Sequence, residues 1–418
     1  MTSFFFKTFE LIKNYYYYIL LLFPIFLVSG PFLPDFTIFF FTIIFFFIFI
    51  FNKNFKKEIN NILDSKLIIF FLIFFVLINI NSLLINPNFS SAKSTLPYFR
   101  FLIFNIFLGL LFIKDKIFLN RYLISSLFVC FFLILDGFFQ YIFGFNLIGL
   151  KMHDPVRITS FFLEEKIYGS FLIRHLPILL LYFILFKFEK FKNSLFIIIT
   201  IFGILIFLSG ERTAFFMFLL FLFIIFFVLE NKRVFLVKFV ITFTLIISLS
   251  LLFNFNAFDR MLNKSISQIY IKDEKKINFF SPEHEAHAIS SIRMFKNRPY
   301  FGHGVKSFRK LCSDKKYFFN EKSCSTHPHN FYLQFLAELG IIGFLFLVIF
   351  YLFFLVKAVK KIFFEERSKK NLGLIFCYSH ILISLYPFMP TGNFFNNYLS
   401  ILIFLPLPFI IYLENLKN

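Results

Sequence analysis

Phe36-Thr37-Ile38-Phe39-Phe40-Phe41-Thr42-Ile43-Ile44-Phe45-Phe46-Phe47-Ile48-Phe49-Ile50-Phe51 contains no charged side chain. A soluble helix would show a polar stripe along one face, and a membrane-barrel strand would alternate. This run does neither. Phe235–Phe253 is nearly as apolar. Crossing the hydrocarbon core takes about 20 such residues, and in lipid a helix is the form that pairs its own backbone. The pattern therefore predicts membrane-spanning helices.

The rest of the chain agrees. Hydrophobic residues make up 59% of 418 positions, against about 45–50% in soluble domains. The 80 Phe and absent Trp, with abundant Ile, Lys and Asn, read as the bias of an AT-rich genome. Lys7 and Lys13 precede the first span without a small-residue cleavage site, so no removable signal is expected. About twelve spans are predicted, over 15–32, 35–51, 66–85, 95–113, 122–146, 167–187, 193–209, 212–230, 234–253, 330–356, 371–389 and 395–414. The expected fold is all-α: a polytopic transmembrane helical bundle with one large, partly helical periplasmic loop. Residues 1–253 carry spans one to nine, 254–328 form the loop, and 329–418 carry the last three.

Net charge is +20. In a soluble protein that would suggest nucleic acid. Here the basic residues sit in short loops between apolar runs, so orientation explains them and no nucleic-acid partner is expected. With both termini in the cytoplasm, 22 of the 43 Lys and Arg fall on that side. They include Lys53, Lys56, Lys57, Lys187, Lys190, Lys192, Lys357, Lys360, Lys361, Arg367, Lys369 and Lys370. Only 7 fall opposite, outside the long loop. The loop from Asn254 to Pro328 holds 14 Lys and Arg against 7 Asp and Glu. Such excess positive charge outside the cell membrane points to an anionic substrate. Cys312 and Cys324 lie in this loop, in an oxidising compartment, and are expected to pair. Cys130 and Cys377 lie inside spans.

Ionisable groups within spans are costly and tend to mark function. Arg100, Arg174, His175, Arg212, Glu338, Asp136 and Gln140 all fall in the outer half of the membrane, with His380 nearer its middle. A transporter would keep its polar site near the midplane, between repeated halves. No internal repeat is visible, and one-sided placement suits an enzyme acting on a lipid-linked substrate of the outer leaflet. A flippase or exporter is the alternative from another class; it calls for polar residues on the inner side too.

The most informative stretch is His327-Pro328-His329-Asn330-Phe331-Tyr332-Leu333-Gln334-Phe335-Leu336-Ala337-Glu338-Leu339-Gly340-Ile341-Ile342-Gly343. It resembles the motif of the O-antigen ligase and O-antigen polymerase family: His, then Asn, Ser or Gln, nine residues, Gly, two residues, and Gly, Thr or Tyr. Four further stretches are similar to that family. They are Arg157-Ile158-Thr159-Ser160-Phe161-Phe162, Leu208-Ser209-Gly210-Glu211-Arg212-Thr213-Ala214, Asn297-Arg298-Pro299-Tyr300-Phe301-Gly302-His303-Gly304 and Gly392-Asn393-Phe394-Phe395-Asn396-Asn397. The resemblance runs from about Asp136 onward.

It implies a metal-independent glycosyltransferase of the inner membrane with its active site on the periplasmic face. The donor would be an undecaprenyl-pyrophosphate-linked glycan, held among membrane lipid, and no cofactor is expected. A chain-length regulator or the lipid A core acceptor would be a partner. The family's catalytic histidine falls on His329 and its span-opening arginine on Arg212. Its second, loop arginine has no clean match; His284 takes that place, which fits polymerases, whose loop varies more, better than ligases.

The residue types suit the chemistry that the resemblance implies. Arg grips phosphate through a planar fork and stays charged. Arg212, Arg157 and Arg260 are expected to hold the pyrophosphate, with Arg174, Arg100, Asn330 and Glu338 as further binding or positioning groups. His329 has the right ordinary pKa for a general base near neutral pH. Around His284, Ser281 suits an N-cap and Pro282 the first helical position. A helix to about Asn297 then sets His284, His287 and Ser291 on one face and Arg293 opposite. Glu283-His284-Glu285-Ala286-His287 lacks the zinc-protease spacing of two His four residues apart, so no metal is expected.

Overall fold

The computed structural model describes residues 16–63, 66–152, 157–229, 232–250, 256–271, 276–277 and 281–416. Lys7, Lys13, the ends of the first and ninth expected spans and parts of the long loop lie outside them, as do the side chains of Lys190 and Lys192.

Helices follow one another along the chain. The first nine are α1 (Tyr16–Phe26), α2 (Phe32–Phe51), α3 (Lys53–Leu63), α4 (Lys66–Ile80), α5 (Phe89–Thr95), α6 (Phe99–Lys114), α7 (Lys116–Phe143), α8 (Tyr168–Phe186) and α9 (Phe188–Leu208). After them come α10 (Arg212–Val228), α11 (Lys232–Ser250), α12 (Asn256–Met261), α13 (Asn263–Ile269), α14 (Pro282–Asn297) and α15 (Phe308–Leu311). The last are α16 (Phe331–Phe363), α17 (Lys369–Ser384), α18 (Asn397–Phe404) and α19 (Leu407–Glu414). Among the described residues, seven stretches are long and apolar enough to cross a membrane: Phe32–Phe51, Lys66–Ile85, Phe89–Lys114, Lys116–Phe143, Tyr168–Phe186, Phe331–Phe363 and Asn397–Glu414. Tyr16–Phe26, Leu195–Leu208 and Arg212–Val228 are apolar but shorter.

The quoted run shows why the medium is lipid. In α2, Ile38, Phe41 and Phe45 are buried in the bundle. The opposite face carries Phe36, Phe40, Ile43 and Phe47, all exposed. A water-facing helix would place polar groups there. The chain is an all-α polytopic membrane protein. Residues 53–63, read from the sequence only as a basic loop, form α3 because Phe55, Ile59 and Ile62 share a face and pack inward.

The long loop is partly helical and ends against α16. That helix contains a break at Gly340, whose φ of 67° and ψ of −161° only glycine adopts at low cost. The turn after α14 fills the break. His303 N donates to Ala337 O at 3.1 Å and Gly304 N to Glu338 O at 2.8 Å. Ile341 N donates to Pro299 O at 2.8 Å. The helix loses its own ladder there and recovers it from the loop, as buried backbone must. A Cβ on Gly302 would lie 2.4 Å from the Glu338 carbonyl carbon, so the close approach also needs glycine on the loop side.

Candidate functional site

The site grows from the start of α16. Asn330 caps that helix, its Oδ1 accepting from Tyr332 N at 2.9 Å and Leu333 N at 3.1 Å. Its amide nitrogen donates to Pro387 O at 2.7 Å and Met389 O at 3.2 Å. His329 precedes the cap with φ of 57°, a left-handed conformation uncommon outside glycine. Thr391 N donates to its carbonyl at 2.8 Å. The segment after α17 therefore pins the turn from one side.

From the other side comes α14. It starts where the sequence placed it: Ser281 caps it, its hydroxyl 3.4 Å from His284 N, with Pro282 first in the helix. This helix carries His284 and His287 to His329. The ring centres lie 5.7 Å and 5.2 Å from that of His329, and His327 adds a fourth imidazole at 4.1 Å. His329 Nε2 is 3.1 Å from Ser325 Oγ, and His327 Nε2 is 3.2 Å from Thr391 O. Four imidazoles in such proximity resist protonation. Burial, then the charge of His284, pulls His329 below its ordinary value, while Glu283 opposes. Burial brings His287 and His327 down to about 4. Burial also lowers His284, with the Arg212 charge adding to the effect. Among the described residues no group of three or more His, Cys, Asp or Glu has the arrangement of a metal site.

Arg212 opens α10, and its guanidinium lies 3.5 Å from Ser265 Oγ of α13. Arg260 of α12 donates through Nε to Gly210 O at 2.9 Å, in the turn just before Arg212. Loop and membrane helix thus place both arginines at one turn, and the field of Arg212 reaches His284. Glu211, between them, faces away. It accepts from Gly169 N at 2.6 Å and from Ser170 N and Oγ at 3.2 and 2.7 Å, capping α8 from a distance. Burial pushes its carboxyl up to about 7.

The other expected residues take different positions. Arg174 is buried in α8, with Nη1 donating to Ser170 O at 3.1 Å beside Glu211. Arg100 is ion-paired with Asp35 of α2 at 2.7 Å, and its guanidinium lies over the Phe101 ring. Arg157 begins the stretch that Gln140 and Asp136 of α7 hold. Gln140 Oε1 accepts from Thr159 N and Ser160 N at 3.0 and 2.7 Å, and Asp136 accepts from Ser160 Oγ. Glu338 is buried under the loop and accepts from Phe308 N at 3.3 Å and Gln334 Nε2 at 3.0 Å. Gln334 in turn accepts from Phe394 N at 3.0 Å. His380 spans Arg174 O and Leu402 O at 2.7 and 2.8 Å, a helix-to-helix contact. Cys312 and Cys324 are joined, with Cα atoms 5.2 Å apart. Cys130 and Cys377 are buried and free.

His287 and His327 were given no role from sequence. The available signals were a second histidine one helical turn after His284 and another two residues before His329.

A helical membrane protein with arginines and histidines gathered where its long loop meets the bundle: this is the class that fold and site define. The family model described as O-antigen ligase matches residues 178–348, and over that stretch the chain carries this family's domain. The match includes Arg212, Arg260, His284, His329, Asn330 and Glu338 and excludes Arg100, Arg157 and Arg174. The match supports a function of the general O-antigen ligase and polymerase type. A comparison with curated proteins finds no match.

Proposed function

We propose that this chain polymerises undecaprenyl-pyrophosphate-linked oligosaccharide units at the periplasmic face of a bacterial inner membrane, with both termini in the cytoplasm. The observation that carries the reading is the approach of His284 to His329, ring centres 5.7 Å apart, with the Arg212 charge bearing on His284. A neutral imidazole for the acceptor proton and guanidinium groups for the leaving diphosphate are a pairing that suits glycosyl transfer.

His329 acts as general base on the acceptor sugar hydroxyl. Its lowered pKa keeps it unprotonated at neutral pH. Arg212 and Arg260, adjacent to one turn, grip the pyrophosphate and stabilise charge on the leaving oxygen. The glycosidic C–O bond to the pyrophosphate breaks as the acceptor oxygen attacks the opposite face, so the anomeric centre inverts. The pyrophosphate leaves on its polyprenyl carrier, and His329 takes the hydroxyl proton. Arg157 is a further phosphate contact in this reading. Arg100, Arg174 and Glu338 hold the scaffold, because their partners are protein groups.

The description of the matching family favours a second reading, ligation of the finished glycan to the lipid A core. The two differ in acceptor. A deletion strain separates them: loss of a polymerase leaves single repeat units on the final lipid, and loss of a ligase leaves none. Purified protein given lipid-linked repeat units must form new glycosidic bonds. Transport in liposomes without bond formation would instead identify an exporter.

A further inference from the structure

Two cavities adjoin where the loop turn around Gly302 crosses α4 and α5. The first, about 370 Å³, is lined by Arg298, Lys306, Lys310 and Lys316 of the loop together with Ser307 and, from the start of the Phe89–Lys114 stretch, Ser90. No carboxylate lines it. Among the described residues none of the four cations forms a salt bridge. Arg298 donates to Asn86 Oδ1 at 2.5 Å, which fixes its direction but leaves its charge uncompensated. Ser307 Oγ is buried with no hydrogen-bond partner among the described residues. Burial, with the charges of Arg309, Arg100 and Lys93, holds the Lys306 ammonium below its ordinary value; only Glu338 opposes. The cavity is thus short of negative charge and holds an idle hydroxyl.

The second cavity, about 430 Å³, is an apolar groove on the flank of the bundle. Leu72, Ile73, Val76 and Ile80 of α4 form one wall, and Phe301 and Ile342 the other. Ile85 and Phe301 line the groove while Asn88 and His303 line the basic cavity. Those pairs are two or three residues apart, so chain geometry limits the gap to about 10 Å. Arg212, His284 and His329 line neither cavity.

A cationic cavity set directly beyond an apolar groove has the two-part chemistry of an anionic lipid. Free phosphate satisfies the first part only, and hydrocarbon the second only. Lys and Arg recognise phosphate through charge-assisted hydrogen bonds, and a chain in the groove removes apolar surface from competing solvent. We propose that this is a binding site for one membrane lipid with a phosphate headgroup, its head among Arg298, Lys306, Lys310 and Lys316 and a chain along α4. The site is separate from the histidine site and does not rest on the reaction assigned there.

The test uses the full chain purified in detergent, with its thermal midpoint followed against dioctanoyl-phosphatidylglycerol, dioctanoyl-phosphatidylcholine and inorganic phosphate. Phosphatidylglycerol should raise the midpoint saturably and phosphatidylcholine, whose ammonium meets the four cations, should not. In a Lys310→Gln/Lys316→Gln double variant the apparent affinity should fall about tenfold or more. Val76→Phe, which adds bulk to the groove, should weaken the lipid and leave the response to phosphate alone. All three positions are exposed, so the unliganded midpoint of each variant reports folding independently. Equal responses to the two lipids, or unchanged affinity in both variants, overturn the proposal. So does a phosphate response equal to that of phosphatidylglycerol with Val76→Phe silent, which would reveal a simple anion site.

Discussion

The carbonyl oxygen of Tyr300 lies 2.4 Å from where the Cβ of any residue other than glycine at position 340 would begin. The broken helix and the loop turn are therefore one structural unit. Gly340→Ala adds that clash to a backbone conformation that already costs a non-glycine residue about 1–3 kcal/mol. The expected result is loss of about 3 kcal/mol or more, read as a sharp fall in folded protein recovered in detergent. Gly30→Ala is the control. Gly30 also has positive φ but nothing within 4 Å, so it should cost no more than about 1–2 kcal/mol.

His329→Asn separates chemistry from geometry. Asn tolerates the left-handed conformation of His329 better than most residues, so the turn should persist. Without the base, glycosyl transfer from lipid-linked units should fall about 10²–10⁴-fold at unchanged protein level. Normal glycan chains from this variant would remove His329 from the mechanism.

Arg212→Lys keeps the charge and loses the planar fork, whereas Arg212→Gln loses both. If the fork holds a diphosphate, Lys should restore only part of the transfer rate and raise the donor KM. Equal rates for Arg212→Lys and wild type would show that a point charge suffices. Arg212→Gln should also raise the pKa of His284, because burial still depresses it but the added push of the Arg212 charge is gone.

Acid should destabilise the histidine cluster. His287 and His327 titrate at about 4 in the fold and near 6.5 when unfolded. Over that interval the unfolded chain binds more protons, so stability is full above about pH 6.5 and falls as pH drops toward about 4. The thermal midpoint in detergent should decline through that window. A His287→Gln/His327→Gln variant should show a shallower decline.

Breaking the Cys312–Cys324 bond should loosen the segment leading to His327 and His329. A loop of this length contributes about 3 kcal/mol when closed. Cys324→Ser, or reductant, should lower the thermal midpoint and reduce transfer, with the reduction measured in the same purified preparation.

The sequence by itself determined the medium, the fold class and the start of α16. Uninterrupted runs such as Phe36–Phe51 have no soluble solution, and Asn330 and Ser281 are caps whose partners lie two or three residues away. Local signals of that kind need no tertiary information. The motifs that single out His329 and Arg212 lie in contiguous stretches and were legible too. The protein partners of Arg100 and Arg174 were not. A buried arginine looks the same on paper whether it awaits substrate or is engaged by Asp35, as Arg100 is, or by the Ser170 carbonyl, as Arg174 is. Only the tertiary structure shows those partners. It also brought His287 and His327 to His329, and turned Gly340 from a motif letter into the opening that Tyr300 fills. The approach of His287 to His329 and of Tyr300 to Gly340 joins residues 40 or more positions apart, and such distances are set by how helices pack.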